Sequence, residues 1–296
     1  MGFSGLDDYI TETTSNGKYF KQPFNRTIDT GATSVAGRWH SCITTGGTGG
    51  AMTVTGTAGT GIVFNRSTVG ALPLNADVAT DTRHLASLLA STNSATAVPA
   101  TLLLTDIIHV YPSCALTGTP STLSNHPTWT GTGDTRMTSA NGVQCSLLVT
   151  TAGTAGNGEI TPTYVDQDGN TQAAARSLKA VATTHPTGCF YADSSAAVTI
   201  GGLNMALAAG DRGVRQITSY AVNTGLTSGV GAFILHRPIA EIPLAAANTP
   251  SMMNFINEDP ALPRIYDDSC LALFVLVGGA LTTGGVINGS FKYAWG

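Results

Sequence analysis

Charged side chains are scarce in this chain, and they form no cluster. Only 11% of the 296 residues are Asp, Glu, Lys or Arg, whereas about 25% is usual for a soluble domain. The 14 basic residues are scattered singly, and the formal net charge is −4. Because nucleic-acid binding depends on clustered Lys and Arg, the sequence predicts no nucleic-acid partner. With so few charged residues, electrostatic repulsion between free monomers is weak and gives them little protection against association.

The chain also lacks paired cysteines and long apolar segments. No two of its cysteines form a CxxC motif, so a zinc site or a redox motif has no support, and we expect buried free thiols. No apolar run approaches the roughly 20 residues of a membrane helix, and residues 1–20 lack the pattern of a secretory signal. We therefore expect no membrane partner and production in a cytoplasm. The five cysteines are Cys42, Cys114, Cys145, Cys189 and Cys270.

No motif for catalysis or cofactor binding is recognisable. The Gly/Thr-rich stretch 44–61 has neither the Lys-Ser/Thr of a phosphate-binding loop nor the strand and helix of a dinucleotide site, which favours loops and turns. Residues 166–170 (DQDGN) resemble the start of a calcium loop, but the distal Glu is missing. A nucleophile elbow is absent. We predict no catalytic, cofactor-binding or metal-binding residues, and a protein that is not an enzyme.

What the chain does contain is a succession of strand-like segments separated by turns. Residues 270–277 (CLALFVLV) form an unbroken apolar run, and Phe291, Tyr293 and Trp295 alternate with smaller or polar residues, the period of a strand with one buried face. Many strands with few helices are typical of a sandwich or jelly roll. We therefore predict a mainly β protein, an antiparallel β-sandwich or jelly roll with one short helix and long Gly/Thr-rich loops. Further strands are predicted over 102–111, 143–150, 159–165, 213–222 and 230–239.

The helix is predicted over residues 76–91. Thr80 or Asp81 could cap it, and Leu85, Leu88 and Leu89 have the i, i+3, i+4 spacing of an apolar helix face. The turn sequence Asn141-Gly142 predicts a two-residue hairpin before the strand at 143–150.

Residues 1–30 mix glycine, aromatic and charged residues with little periodicity. We expect an N-terminal arm that docks on a neighbouring molecule or along the protein's own surface, with a frayed terminus as the alternative. The remaining residues, 31–296, form the β-sandwich or jelly-roll body, and a division with an N-terminal β subdomain up to about residue 125 stays open.

Several segments resemble a group of virion structural proteins of tailed bacteriophages. This group includes jelly-roll cement or decoration proteins, which sit on a capsid shell of the HK97 type. The resemblance covers most of the chain, and its motifs are structural turns and strands. The segments are LLLTDIIHVYPS (102–113), NGVQCSLLVTTAGTAGNGEITPTYVDQDGN (141–170), AAGDRGVRQITS (208–219), FILHRPIAEIPL (233–244), LPRIYDDSCLALFVLV (262–277) and the closing FKYAWG.

The resemblance implies a non-enzymatic protein on the capsid surface of a virion, assembled in the host cytoplasm. Its partners would be the major capsid protein, whose subunits it bridges, and its own copies in a homotrimer. No cofactor is implied. We place the contacts with the capsid or a sister subunit in the arm, at Tyr19, Phe20, Lys21, Phe24 and Arg26.

Two alternatives remain open at this stage. The first is another virion role, as a major capsid protein or a tail tube protein, although a capsid subunit of the HK97 type would normally have a long spine helix. The second is a carbohydrate-binding or carbohydrate-hydrolysing β-sandwich. That class needs an exposed aromatic platform or paired acids, whereas the aromatic residues here alternate within strands.

Overall fold

Antiparallel β-strands make up most of the regular structure. The computed structural model describes residues 2–31, 35–78, 80–118, 121–131, 135–193, 202–258, 262–281 and 284–296. The helices are short: α1 (Leu6–Ile10) continues into a π-helical turn (Thr11–Ser15), a 3-10 turn spans Thr135–Thr138, and α2 spans Phe255–Glu258. The strands are β1 Tyr19–Thr27, β2 Arg38–Ser41, β3 Ile62–Val63, β4 Arg83–Thr92, β5 Ala100–Ala115, β6 Ser121–Thr122, β7 Gln144–Thr151, β8 Asn157–Asp166, β9 Thr171–Ala173, β10 Leu178–Val181, β11 Ala192–Asp193, β12 Val214–Thr224, β13 Val230–Leu244, β14 Ser251–Asn254, β15 Arg264–Ile265, β16 Cys270–Val277 and β17 Val286–Trp295.

The strands form three sheets. The central sheet has the order β2-β16-β5-β13-β7, and β3 also pairs with β5. A second sheet, here called the terminal sheet, has the order β1-β17-β4-β14, with β15 also on β4. A third, the side sheet, has the order β11-β10-β8-β12-β6, with β9 also on β8. The predicted fold class, mainly β with antiparallel sheets and sandwich packing, is confirmed.

The central sheet closes on itself through residues 188–191, which lie between its two edge strands. On one side, Ser41 N–H donates to Gly188 O and Phe190 N–H donates to Trp39 O, both at 2.9 Å. On the other side, Val149 N–H donates to Cys189 O at 2.8 Å. Since each edge strand of the central sheet bonds to this segment, the backbone ladder forms a closed ring, which removes the exposed edges that a flat sheet would present.

Three hydrophobic cores result from this arrangement. Side chains on the outer face of the central sheet pack against the terminal sheet at one end and against the side sheet at the other. Side chains on the inner face, among them Leu103, Ile234 and Phe274, form the interior core with Phe190 from the closing segment. Met52, from the Gly/Thr-rich region, and Phe64, which follows β3, complete the interior. The body is therefore a closed central sheet with one further sheet packed on each end of its outer face.

The predicted strands of the second half of the chain are confirmed. The apolar run at 270–277 is β16, and the alternating residues Phe291 and Tyr293 of β17 point into the core that the terminal sheet shares with the central sheet. Val143, Cys145, Leu147 and Val149, which were predicted to share one face, all lie in the core against the side sheet. All five cysteines are free and buried, as expected.

The helix predicted over 76–91 is wrong, because residues 83–92 form strand β4. Leu85 and Leu88 are both fully buried, and an irregularity of the β4–β17 pairing at Lys292/Tyr293 adjusts the alternation between them. β4 lies between β17 and β14, so tertiary pairing overrides the helix preference of leucine. The hairpin predicted at Asn141-Gly142 is also wrong. A turn is present, but the strand after it pairs with β13.

A buried carboxylate fixes the start of the Gly/Thr-rich region. Asp29 follows β1, and its side chain accepts hydrogen bonds from the backbone N–H groups of Ile43, Thr44 and Thr45 at 2.8–2.9 Å. The hydroxyls of Ser41 and Thr45 also donate to it. One side chain therefore satisfies a turn of backbone donors that no strand pairs.

We predict that Asp29→Ala lowers the free energy of unfolding by about 3 kcal/mol or more, because it leaves several buried donors without an acceptor. Asp77→Ala is the matched control, since the exposed Asp77 carboxylate pairs with Arg66 and such a pair contributes about 1 kcal/mol or less. Urea unfolding measures both variants. Equal losses for the two variants would contradict the role given to Asp29.

Candidate interaction surface

The N-terminal segment lies on the outside of the body. Within residues 2–18 no side chain is buried, although the segment contains α1 and the π-helical turn. It contacts the body through Phe3, whose ring centroid lies 5.9 Å from that of His84, and through Lys18. The Lys18 ammonium lies 2.9 Å from the carboxylates of both Glu12 and Asp81. Hydrogen bonds to these two acids raise the pKa of Lys18.

Strand β1 is an edge strand of the terminal sheet, and only part of its edge is covered. On its inner side it pairs with β17 from Tyr19↔Ala294 to Thr27↔Val286. On its outer side, Asn25 N–H donates to Thr48 Oγ1 at 2.9 Å, Thr48 N–H donates to Asn25 O at 2.8 Å, and the Thr45 hydroxyl donates to Thr27 O. The Gly/Thr-rich region therefore covers residues 25–27, while residues 19–23 form an open edge among the described residues.

Three of the five predicted contact residues lie on this open edge. Tyr19 is 56% exposed, Phe20 is 40% exposed, and Lys21 is also exposed. The Phe20 ring packs against the ring of Tyr293, with centroids 5.7 Å apart, so Phe20 is held in position and still reaches solvent. We call these three residues, which are consecutive along the open edge, the edge patch; Tyr19 and Lys21 share one face of β1, and Phe20 lies on the other.

The other two predicted contact residues, Phe24 and Arg26, are inside the protein. Phe24 is buried in the core between the terminal and central sheets, 6.3 Å from Phe291 between ring centroids. The Arg26 guanidinium donates to the carbonyl oxygens of Gly50 and Gly70, and burial lowers the pKa of Arg26. Neither side chain has surface to offer a partner, because both lie where the core covers their face of β1. Phe20 is on the same face but stays 40% exposed.

The N-terminal segment also exposes apolar side chains. Leu6 is 60% exposed and Ile10 is 47% exposed, and residues four apart share one face of a helix. A groove of about 490 Å³ lies between this segment and the terminal sheet. It is lined by Tyr9, Thr13, Thr14, Tyr19, Ala86, Lys292 and Tyr293. Exposed apolar side chains grouped in this way mark a surface for contact with other molecules.

Two features of the open edge limit the partner it can accept. Pro23 has no backbone N–H, and Lys21 adds a positive charge; prolines and lysines are the residues with which edge strands avoid uncontrolled pairing. Only Lys21 N–H and a few carbonyl groups therefore remain for a partner strand. We infer that the edge patch is suited to side-chain contacts rather than to strand addition.

Two groups of buried polar side chains connect strands inside the described part of the protein. His236 lies within the central sheet, with Nδ1 2.8 Å from Thr105 Oγ1 and Nε2 3.0 Å from Ser146 Oγ, and burial lowers the pKa of His236 to about 3. Arg136 donates to Asp106 at 2.9 Å, and Ser269 Oγ donates to the same carboxylate at 3.0 Å. All of these side chains are buried. They hold strands and turns together and are closed to solvent.

Sequence reasoning missed these buried polar residues, and no spacing in the sequence connects them. In the part of the chain that the structure describes, no three His, Cys, Asp or Glu side chains are grouped as metal ligands would be. The same residues contain no helix with the length and apolar character that crossing a membrane requires.

No known protein family matches the sequence. No curated protein matches it either. Among solved structures, one of infectious bursal disease virus, Gt strain, aligns at 9% identity over 97% of this chain and 86% of that chain, with a TM-score of 0.18. The VP2 subviral particle of the same virus aligns at 9% identity over 96% and 85%, with a TM-score of 0.18. A T=1 particle derived from infectious bursal virus aligns at 8% identity over 96% and 82%, with a TM-score of 0.17. Scores this low carry no argument about fold or function.

We predict that acid destabilises the protein between about pH 6.5 and pH 4. Burial lowers the pKa of His109 and His185 to about 4 and that of His236 to about 3, whereas histidine in an unfolded chain has a pKa of about 6.5. As the pH falls, the unfolded chain binds protons first. The stability that these neutral histidines contribute is complete above about pH 6.5 and is lost towards pH 4, at about 1.4 kcal/mol for each pKa unit.

Thermal or urea unfolding across this pH range measures the loss. His185→Gln should reduce the pH dependence of the free energy of unfolding. His126→Gln is the control: it replaces a partly exposed histidine and should leave most of that pH dependence unchanged. A free energy of unfolding that stays constant from pH 6.5 to pH 4 would refute the explanation.

Proposed function

We propose that this protein is a non-enzymatic structural component of a virion that binds and stabilises a bacteriophage capsid shell, as a cement or decoration protein. The observation that carries the proposal is the edge patch, where aromatic side chains reach solvent from a strand that is firmly paired on its other side. The resemblance of the strand and turn segments to phage head proteins supports the same role.

The composition of the surface suits attachment to a regular lattice. Interface cores are rich in aromatic residues and poor in charge, and the edge patch has Tyr19 and Phe20 with a single charge at Lys21. A lattice offers many identical sites, so contacts of modest strength can give firm attachment when copies are linked. The closed central sheet and its three cores supply a rigid body behind these contacts.

The proposal includes the partners and the location. The major capsid protein would be bound at the edge patch, and the protein would bridge its subunits as a homotrimer on the capsid surface, after assembly in the host cytoplasm. Leu6 and Ile10 of α1 are exposed, and Leu6 lines a second groove against α2; they supply a second apolar surface for contact between copies.

Other virion roles are the first alternative. A major capsid protein of the HK97 type would normally have a long spine helix, and the longest helical segment among the described residues is α1 with its π-helical turn, residues 6–15. A tail tube protein stays open as an alternative, since it would also be rich in β-structure and self-associating.

A carbohydrate-binding β-sandwich is the second alternative, and one observation disfavours it. Tyr19 and Phe20 are adjacent in β1, so their side chains leave the strand on opposite faces. They therefore do not form one flat platform for a sugar ring. Binding of the purified protein to a glycan array would favour this alternative.

Comparison of particles with and without the protein tests the proposed function. We expect the protein on the outer surface of the capsid, at positions that join major capsid protein subunits, and we expect shells without it to break at lower temperature or under milder osmotic shock. Particles that contain the protein only in the tail, or shells whose tolerance does not change, would contradict the cement role.

Surface variants test the edge patch. Tyr19→Ser and Lys21→Glu should each weaken binding to shells assembled from the major capsid protein by about tenfold or more, because aromatic and charged anchors dominate such interfaces. Met252→Ser is the matched control, since Met252 is 61% exposed on β14, the other edge strand of the terminal sheet. Binding is measured by co-sedimentation, and melting curves show that each variant is folded. Equal binding by all three variants would refute the role of the edge patch.

A further inference from the structure

The chain contains four Asn-Gly sequences, and the structure places them in very different surroundings. An Asn-Gly sequence can modify itself, because glycine has no side chain to hinder attack by its own backbone nitrogen on the preceding carboxamide. Whether it does so depends on how freely the two residues move. The four sequences are Asn16-Gly17, Asn141-Gly142, Asn157-Gly158 and Asn288-Gly289.

Three of the four are held by backbone pairing. Gly142 N–H donates to Arg212 O at 2.9 Å, so the nitrogen that would attack is already engaged. Asn157 and Gly158 lie in β8, where they pair with β10. Asn288 and Gly289 lie in β17 between β1 and β4, and Asn288 Oδ1 accepts a hydrogen bond from Asn25 Nδ2 at 2.8 Å.

Asn16-Gly17 is different, since it connects the π-helical turn to β1. Asn16 is exposed, and Gly17 has φ of +65° with no neighbouring atom where a side chain would stand. Within the described residues, Asn16 N–H and Lys18 N–H have backbone acceptors, but Gly17 N–H has none. The Asn16 carboxamide donates to the Glu12 carboxylate at 3.1 Å. The attacking nitrogen is therefore free, and there is room for the backbone to rotate.

We propose that Asn16 is a site of spontaneous deamidation. The Gly17 backbone nitrogen loses its proton and attacks Asn16 Cγ; a C–N bond forms, the Cγ–Nδ2 bond breaks, and the side-chain nitrogen leaves as ammonia. One water molecule then opens the succinimide ring at either carbonyl. The products are aspartate or isoaspartate at position 16, and no oxidant or reductant takes part.

The modification changes the connection between the N-terminal segment and the edge patch. It adds a carboxylate next to Glu12, which already shares Lys18 with Asp81, and the new charge competes with Asp81 for that ammonium. The isoaspartyl product also carries the backbone through one additional carbon at this connection. Residues 2–15 therefore become less firmly attached to the body as the protein ages.

Peptide mapping by mass spectrometry tests the proposal on the intact protein. The protein is incubated at mildly alkaline pH until half of a synthetic peptide TTSNGKYF, the sequence of residues 13–20, is converted. The protein is then digested, and the fraction of Asp and isoAsp is measured at all four positions. Asn141 is the control within the same molecule, because it is also exposed and also followed by glycine.

We expect Asn16 to be converted at least about fivefold faster than Asn141, Asn157 and Asn288, the ratio that corresponds to one net backbone hydrogen bond. The rate at Asn16 should rise with pH, since the attacking nitrogen must lose its proton. Asn16→Gln should abolish the change at this position without altering the melting curve. Conversion of another Asn-Gly sequence first, or similar rates at all four, would overturn the proposal.

Discussion

The pairing of β5 with β13 is the interaction on which the rest of the structure depends. These strands are the longest in the described chain and pair from Val230↔Ala115 to Leu244↔Ala100. Each contributes to all three cores: in β5, Leu104 faces the terminal sheet, Ile108 faces the side sheet and Leu103 faces the interior. Because side chains alternate along a strand, a slip by one residue would exchange the inner and outer faces, and every core would lose its partners at once.

The same constraint determines which parts of the protein are left for contact with other molecules. In the closed central sheet, residues 188–191 cover the edges of both β2 and β7, so these two strands offer no open edge there. The terminal sheet ends in β1, and the Gly/Thr-rich region covers β1 only from Asn25 to Thr27. What remains is a short edge with Pro23 and Lys21, which resists indiscriminate strand pairing. A short edge protected in this way suits a surface that binds specific partners and does not aggregate.

Much of the β-structure could be predicted from the sequence because the strongest strands carry local signals. The apolar run of β16 and the alternation in β7 and β17 specify strands whatever their partners. The leucines of β4 fit a helical stripe as well as a strand, and only pairing with β17 decides between the two. The closing segment 188–191 has no such local signal, because the strands with which it pairs lie far from it in the sequence. The exposure of Tyr19 and Phe20 against the burial of Phe24 likewise depends on what covers the edge.

Burial removes some of the chain's few charged side chains from the surface. Arg26, Arg83 and Arg136 are among the largest fully buried side chains, and each donates to carbonyl oxygens of loops: Gly50 and Gly70, Ala76, and Phe64, respectively. Long Gly/Thr-rich loops contain many backbone groups that no strand pairs, and a guanidinium with five donors satisfies several of them at a fixed geometry. Charges used in this way inside the body are withdrawn from solvent. A chain with few charges to begin with thus acquires a surface that contact with other proteins can cover at low desolvation cost.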